Sequence, residues 1–161
     1  VEWIRRILEN RALRKIAEGA LELPSDLRLL NKTVILWPEK PDDAAVTIAD
    51  NLGKLLGDKI VAVVGYTENC PLKNVDYRRL GEKGAGRFGY PKLESVGSMD
   101  GITASIDLSP KFELKLSSLP VLAGIRLRLG RDEEKNGGFY NVLMTGKSGR
   151  EIETLIGAMI N

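Results

Sequence analysis

Carboxylates follow two of the apolar runs in this sequence, where they could carry chemistry. Asp42 and Asp43 come soon after the run at 33–37, and Asp107 ends the run at 102–107. A carboxylate there can act as a general base or bind a ligand. It can equally cap a helix, since it accepts the unpaired N–H groups of the first turn. We interpret Asp42 and Asp43 first as caps, and we keep Asp42, Asp43 and Asp107 as candidate ligand-binding residues.

The composition excludes several kinds of site. The chain has no histidine and a single cysteine, Cys70, so a Ser/His/Asp or Cys/His triad and an internal disulfide are impossible within it. A zinc site would lack sulfur and imidazole ligands. We therefore expect no metal and no cofactor, and we interpret Cys70 as an inert thiol. The net charge of +2 gives no overall attraction to nucleic acid or to an anionic membrane.

Two segments partly match phosphate-binding motifs. Gly84, Gly86 and Gly89 have the spacing of a dinucleotide fingerprint, but they do not stand between a strand and a helix. Gly146-Lys147-Ser148 is similar to the end of a Walker loop, although Asn141 occupies the position of that motif's first glycine. Lys147 and Ser148 are therefore candidate ligands only for an anion at the start of a terminal helix.

The elements that would position these residues alternate along the chain. Apolar, β-branched runs at 33–37 and 60–65 flank an amphipathic helix that ends at Gly57, which predicts a βαβ unit. Further strands are expected at 102–107, 125–129 and 140–145, with helices at 111–119 and after 147. We predict an α/β fold, a single Rossmann-like three-layer domain over 31–161 with a mainly parallel sheet of about five strands. We predict that residues 1–30 form an amphipathic N-terminal helix and a linker.

Two segments have the character of partner-binding surfaces. Residues 1–20 place apolar side chains, including Trp3, Ile7 and Leu8, at helical spacing. Residues 67–92 contain six basic and three acidic residues among glycines and prolines, which predicts a long loop with an optional short helix at 75–80. Its candidate contacts are Arg78, Arg79 and Arg87, which suit an acidic surface or RNA. The alternatives are a helix packed on the sheet and a solvated loop.

Three short segments together resemble the N-terminal half of a GT-B glycosyltransferase of the heptosyltransferase type. They are Asp43-Ala44-Ala45, Ile106-Asp107-Leu108, and Leu127-Arg128-Leu129-Gly130 with the charged residues that follow. The resemblance covers roughly 32–140 and implies a sugar or nucleotide at the carboxyl edge of the sheet, with Asp43 as catalytic base. The family's first turn is rich in glycine, whereas residues 38–42 contain two prolines and no glycine.

We rank three functions from these observations. The first is a non-catalytic interaction or accessory subunit that binds a protein partner, or a second copy of itself, through the N-terminal helix and the basic loop. The second is a glycosyltransferase-like half-domain, and the third is an RNA-associated protein. The sequence contains no apolar run long enough to span a membrane, and we expect the cytoplasm or another reducing aqueous compartment.

Overall fold

The protein has an α/β fold built on one six-stranded sheet in which every strand is parallel. Its structure, a computed structural model, describes residues 25–81, 93–131, 139–144 and 154. The strands are β1 (Thr33–Trp37), β2 (Ile60–Gly65), β3 (Asp76–Arg79), β4 (Ala104–Asp107), β5 (Leu127–Arg131) and β6 (Val142–Met144). They lie side by side in the order β3-β2-β1-β4-β5-β6. The first half of the chain therefore extends the sheet in one direction from β1, and the second half extends it in the other.

The central strand β1 is apolar along its whole length because both faces of the sheet are covered. All five of its residues are buried. Ile35 lies opposite Val63 of β2 on one side and opposite Ile106 of β4 on the other. Branched side chains fit such a pleated surface that is closed on both faces. The βαβ unit expected around this strand is confirmed.

Helix α1 (Asp43–Leu56) covers one face of the sheet. Asp42 caps it, because its Oδ1 accepts a hydrogen bond from the N–H of Ala45 at 2.9 Å. Gly57 ends it with a φ of 54°, a conformation that favours glycine. The helix buries Ile48, Leu52 and Leu56 against the sheet, while Val46 on its outer side is 43% exposed.

The opposite face carries shorter elements. Helices α2 (Leu114–Ser117) and α3 (Leu119–Leu122) and a 3₁₀ turn (Leu93–Val96) lie there. Leu116 and Leu119 pack with Val34 and Leu36 of β1 in one buried cluster. The helix expected over 111–119 is in fact two turns, and Pro120 lies inside the second one near its start, where proline is tolerated. No described helix has the length and apolarity of a membrane span.

The segment 67–92 differs from its prediction as a loop. Residues 76–79 form strand β3, which pairs in parallel with β2, so the short helix considered at 75–80 is wrong and the sheet has six strands. Charged residues are tolerated there because β3 lies at the edge of the sheet, where such residues discourage further pairing. The N-terminal helix expected over 1–20 and the helix expected after 147 lie outside the described residues, apart from Thr154 in a helical conformation.

Candidate functional site at the carboxyl edge of the sheet

Strands β2 and β3 follow on one side of β1 and strands β4 to β6 on the other, so the order of the strands reverses between β1 and β4. In open α/β sheets, ligands bind beyond the carboxyl ends of the strands at such a point. The two strand ends meet there, since the N–H of Leu108 donates to the carbonyl oxygen of Leu36 at 3.1 Å. The polar side chains around this crevice are therefore the candidate site.

Asp107 lies at this point and is almost completely enclosed, with 1% of its surface exposed. Its carboxylate accepts hydrogen bonds from the Tyr140 hydroxyl at 2.5 Å and from the N–H of Ser109 at 2.9 Å. Burial raises the pKa of Asp107, although the Tyr140 hydroxyl and the Ser109 and Ser117 groups oppose that shift. Asp107 is thus tied into the fold by three other residues and does not face an open crevice.

Gly130 makes room for the Tyr140 ring. A Cβ atom at position 130 would stand 2.4 Å from two atoms of that ring. The segment that holds Tyr140 is fixed further by Arg128, which is buried and donates from Nε to the carbonyl oxygen of Phe139 at 3.0 Å and from Nη1 to that of Ile125 at 2.6 Å. The Arg128 Nη2 atom has no hydrogen-bond partner among the described residues. The glycine and the buried arginine together place Tyr140 over β5.

Asp42 forms a second polar contact across this edge. Its Oδ1 accepts a hydrogen bond from the Arg131 guanidinium at 2.7 Å, in addition to that from Ala45. Burial alone would raise the pKa of Asp42, but the bonds from Arg131 and Ala45 lower it below its ordinary value. The contact joins the turn before α1 to the end of β5. Both acceptor roles of Asp42 are therefore structural.

Asp43 is exposed at the first position of α1. Its carbonyl oxygen accepts a hydrogen bond from the Thr47 hydroxyl at 3.1 Å, as in many first helical turns. Its carboxylate lies near the positive end of the helix dipole, which accounts for an acidic residue here. The structure places it outside the buried cluster around Asp107.

Glu39, which the sequence places at the edge after β1, also lies near this point, together with two side chains that were not predicted as site residues, Tyr66 and Glu113. Burial, followed by the charges of Asp107 and Glu39, raises the pKa of Glu113. Burial, with the charges of Glu113 and Glu39, raises the pKa of Tyr66 to about 12. These residues lie in the loops after β1, β2 and β4. Because the carboxyl ends of parallel strands meet at one edge of the sheet, this position in the sequence could have predicted that they lie close together. The crevice is consequently acidic.

A separate hydrogen-bonded network fixes the loop after β2. Asn69 Oδ1 accepts hydrogen bonds from Trp37 Nε1 at 2.7 Å and from the Thr67 hydroxyl at 2.6 Å. The Tyr77 hydroxyl donates to the Thr67 carbonyl oxygen. A Cβ atom at Gly65 would stand 2.7 Å from the Trp37 carbonyl oxygen, so glycine permits this close approach. Thr67 and Asn69 therefore tie β1, β2 and β3 together.

The predicted partner-binding arginines separate into two kinds. Arg78 forms an ion pair with Asp76 at 3.0 Å and donates to the carbonyl oxygens of Val96 at 3.3 Å and Ser98 at 2.5 Å. It therefore braces the loop before β4, and it does not belong to a solvated loop. Arg79 is exposed at the end of the edge strand.

Several candidate residues fall outside the part of the chain that the structure describes. They are Trp3, Ile7, Leu8, Arg87, Lys147 and Ser148. Cys70 is described and is half-buried, and burial raises the pKa of its thiol, which favours the unreactive protonated form.

The described residues contain no group of three or more metal-ligating side chains placed to hold an ion. Comparisons of this chain with protein-family models, curated proteins and solved structures found no match.

Proposed function

We propose that this chain is a non-catalytic interaction or accessory subunit on a Rossmann-like sheet. The observation that carries the proposal is the use of Asp42, which both caps α1 and pairs with Arg131. Both hydrogen bonds fall on Oδ1 and hold the side chain between the start of α1 and the end of β5, so the fold accounts for this aspartate. Asp107, another candidate, is enclosed by its own hydrogen bonds. Asp42 and Asp107 therefore support the fold, and Asp43 is the exposed aspartate at this edge.

The edge strand β3 offers a described contact surface for an acidic partner. Lys73 and Arg79 are exposed there, whereas Arg78 is engaged with Asp76 and with the loop before β4. The N-terminal helix predicted over 1–20 and Arg87 are further predicted contacts that lie outside the described residues. Binding through exposed cations weakens with salt, because their charges are screened beyond about 8–10 Å at physiological ionic strength.

The test is the native mass of the purified chain, alone and after co-purification, at low and high salt. We expect an assembly larger than one chain that dissociates with salt. A Lys73→Ser, Arg79→Ser variant should weaken it at unchanged melting temperature. The matched control is Arg28→Ser, which removes an exposed cation from the 3₁₀ helix Ser25–Asn31. A strictly monomeric chain in both preparations contradicts the proposal.

The acidic crevice favours a second candidate, a glycosyltransferase-like half-domain that binds a sugar. Glu39 and Glu113 can accept hydrogen bonds from sugar hydroxyls, and the neutral Tyr66 hydroxyl can donate or accept one, while the negative charge of the two carboxylates disfavours phosphates. We therefore expect neutral sugars to bind better than nucleotide sugars or sugar phosphates.

A melting screen tests this second candidate, because a ligand at about 100 times its Kd stabilises a fold by roughly 2.7 kcal/mol. A response abolished by Glu113→Gln and retained by Glu94→Gln, which changes an exposed carboxylate elsewhere, supports a site in the crevice. A flat response to every sugar contradicts it.

A further inference from the structure

A cavity lies at the amino edge of the sheet, at the end of the strands opposite the acidic crevice. Its volume is about 410 Å³, and it opens on the face that carries α2 and α3. Residues 93–100, which precede β4, form one wall, and Leu122 and Ala123, which precede β5, form the other. The cavity and the crevice are therefore separate places on the molecule.

The floor of the cavity is apolar. Leu93, Met99 and Ala123 line it, and all three are partly buried against the cluster that contains Leu116 and Leu119. An apolar side chain that entered the cavity would remove their remaining exposed surface from water, which is favourable. The floor therefore suits an apolar group.

Two exposed carboxylates, Glu94 and Asp100, stand on the rim of the cavity. Neither takes part in the ion pairs that the described residues form. Arg78 approaches this wall at Gly97, but its guanidinium is paired with Asp76. The rim therefore suits a ligand that carries positive charge beside its apolar part.

The wall formed by residues 93–100 is fixed by hydrogen bonds and by backbone conformation. Nη1 of Arg78 donates to the carbonyl oxygens of Val96 at 3.3 Å and of Ser98 at 2.5 Å. Gly97 and Gly101 have φ values of 78° and 80°, a region that favours glycine. The wall is thus formed in advance, and a preformed site lowers the ordering cost of binding.

The chain enters the described structure at this same edge. The 3₁₀ helix Ser25–Asn31 precedes β1, and the carbonyl oxygen of Leu29 accepts a hydrogen bond from the Thr103 hydroxyl just before β4. Lys32 Nζ lies 3.9 Å from the position of a Cβ atom at Gly101, next to the rim. Residues 21–24 can span about 13 Å when extended, and a 20-residue helix is about 30 Å long. Residues 1–20 therefore have the length to cross the amino edge to the cavity.

The segment 1–20 also has the matching chemistry. It contains apolar residues at helical spacing, with five basic and three acidic residues. The segment 146–161 is balanced, with two basic and two acidic residues, and glycines interrupt the basic segment 82–92. An amphipathic, cationic helix is thus predicted only for the first of these three segments.

We propose that residues 1–20 dock on this cavity in the same chain, with apolar side chains over the floor and basic side chains beside Glu94 and Asp100. The inference goes beyond the proposed function, because the contact lies within one chain. A partner that binds the N-terminal helix has to displace it from the cavity first. The acidic rim therefore determines how readily the helix is released.

The first test is hydrogen exchange of the full chain at low protein concentration. An isolated helix of 20 residues is only marginally stable in water, so slow exchange over residues 1–20 requires that the helix is held on the domain. We expect this protection in the parent. A Glu94→Lys, Asp100→Lys variant replaces attraction by repulsion and should exchange roughly tenfold faster there. The control Asp58→Lys, Glu68→Lys reverses two exposed carboxylates away from the cavity and should retain the protection.

Photo-cross-linking identifies the occupant directly. p-Benzoylphenylalanine in place of Leu122, a half-buried wall residue, should link to residues 1–20 of the same chain. The proposal is overturned by the absence of a link, by links to 82–92, to 146–161 or to a second copy, by unprotected amides over 1–20, or by protection that survives the charge reversal. Should the charge-reversed variant fail to fold, the cross-link decides alone. A strictly monomeric chain would contradict the proposed function and leave both readouts unchanged, since each reports on a single chain.

Discussion

Asp42 and Asp107 are both aspartates at the carboxyl edge of the same sheet, yet they have opposite electrostatic characters. Asp42 is partly exposed and pairs with Arg131, and its pKa is lowered. Asp107 is enclosed beside neutral donors and a second carboxyl, and its pKa is raised. The difference arises from burial and from the charge of the donor: Asp42 is partly exposed beside a guanidinium, whereas Asp107 is completely buried and its neutral donors do not offset that burial. A strand followed by aspartate therefore indicates a location, and burial and neighbouring charges decide the direction of the pKa shift.

The largest expected effect comes from closing the space that Tyr140 occupies. Gly130→Ala would bring a methyl group to 2.4 Å from the ring, so Tyr140 must move and its bond to Asp107 must break. Overpacking together with the lost hydrogen bond should cost about 3 kcal/mol of unfolding free energy. Chemical denaturation measures it.

Gly81→Ala is the matched control, because no atom lies within 4 Å of the added methyl group. Combining Gly130→Ala with Tyr140→Ala should cost less than the sum of the two single changes, since the second removes the clash. Equal destabilisation by Gly130→Ala and Gly81→Ala would show that the position of the Tyr140 ring does not require a glycine at position 130.

A smaller effect is expected at Asp42. Asp42→Ala removes the cap of α1 and the pair with Arg131, and should cost about 1–2 kcal/mol. Asp42→Asn retains an acceptor for the Ala45 N–H and should cost roughly half as much. The two variants are compared by denaturant unfolding at neutral pH.

The two aspartates should affect stability over different pH ranges, because their pKa values are shifted in opposite directions. Because the pKa of Asp42 is lowered, its contribution is present above 3.8 and is lost as the pH falls through the folded-state value. Asp42→Asn should therefore lessen the loss of stability as the pH falls below 3.8, whereas Asp107→Asn should lessen the loss that accompanies a rise in pH above 3.8. If both variants changed the unfolding free energy over the same pH range, the two aspartates would not differ in the direction of their pKa shifts.

The smallest effect is expected at Asp43. Its carboxylate is exposed at the first position of α1, so Asp43→Asn should change the unfolding free energy by less than about 0.5 kcal/mol. The same variant should leave the native mass of any assembly unchanged. A loss of sugar-dependent stabilisation in this variant would instead favour the transferase-like alternative.

The sequence predicted those parts of the fold in which local pattern and burial agree. The apolar runs of β1 and β2, the cap at Asp42 and the stop at Gly57 follow from rules that involve neighbouring residues. Strand β3 was missed because an edge strand does not need an apolar pattern, and its Asp-Tyr-Arg-Arg sequence is typical of a loop.

At the candidate site, the sequence predicted the aspartates at the sheet edge, but it did not predict their burial or their hydrogen-bond partners. Asp107 was identified from its place after a strand, but the residue that encloses it, Tyr140, is 33 positions away. The crevice residues Glu39, Tyr66 and Glu113 come from three separate loops, and their mutual influence appears only when the strands are in register. Contacts of this length are set by topology, which short sequence patterns do not contain.

The strand order has a consequence for folding during synthesis on the ribosome. Strands β1 to β3 are made first and fill one half of the sheet, so the side of β1 that pairs with β4 stays open until residues 104–107 emerge. At roughly 5–20 residues per second, the 66 residues between Trp37 and Ala104 correspond to several seconds of synthesis. During that time β1 has unpaired backbone N–H and C=O groups on the side that later pairs with β4. We expect nascent chains stalled before residue 104 to bind chaperones or self-associate, and chains stalled well beyond β4 to do so far less.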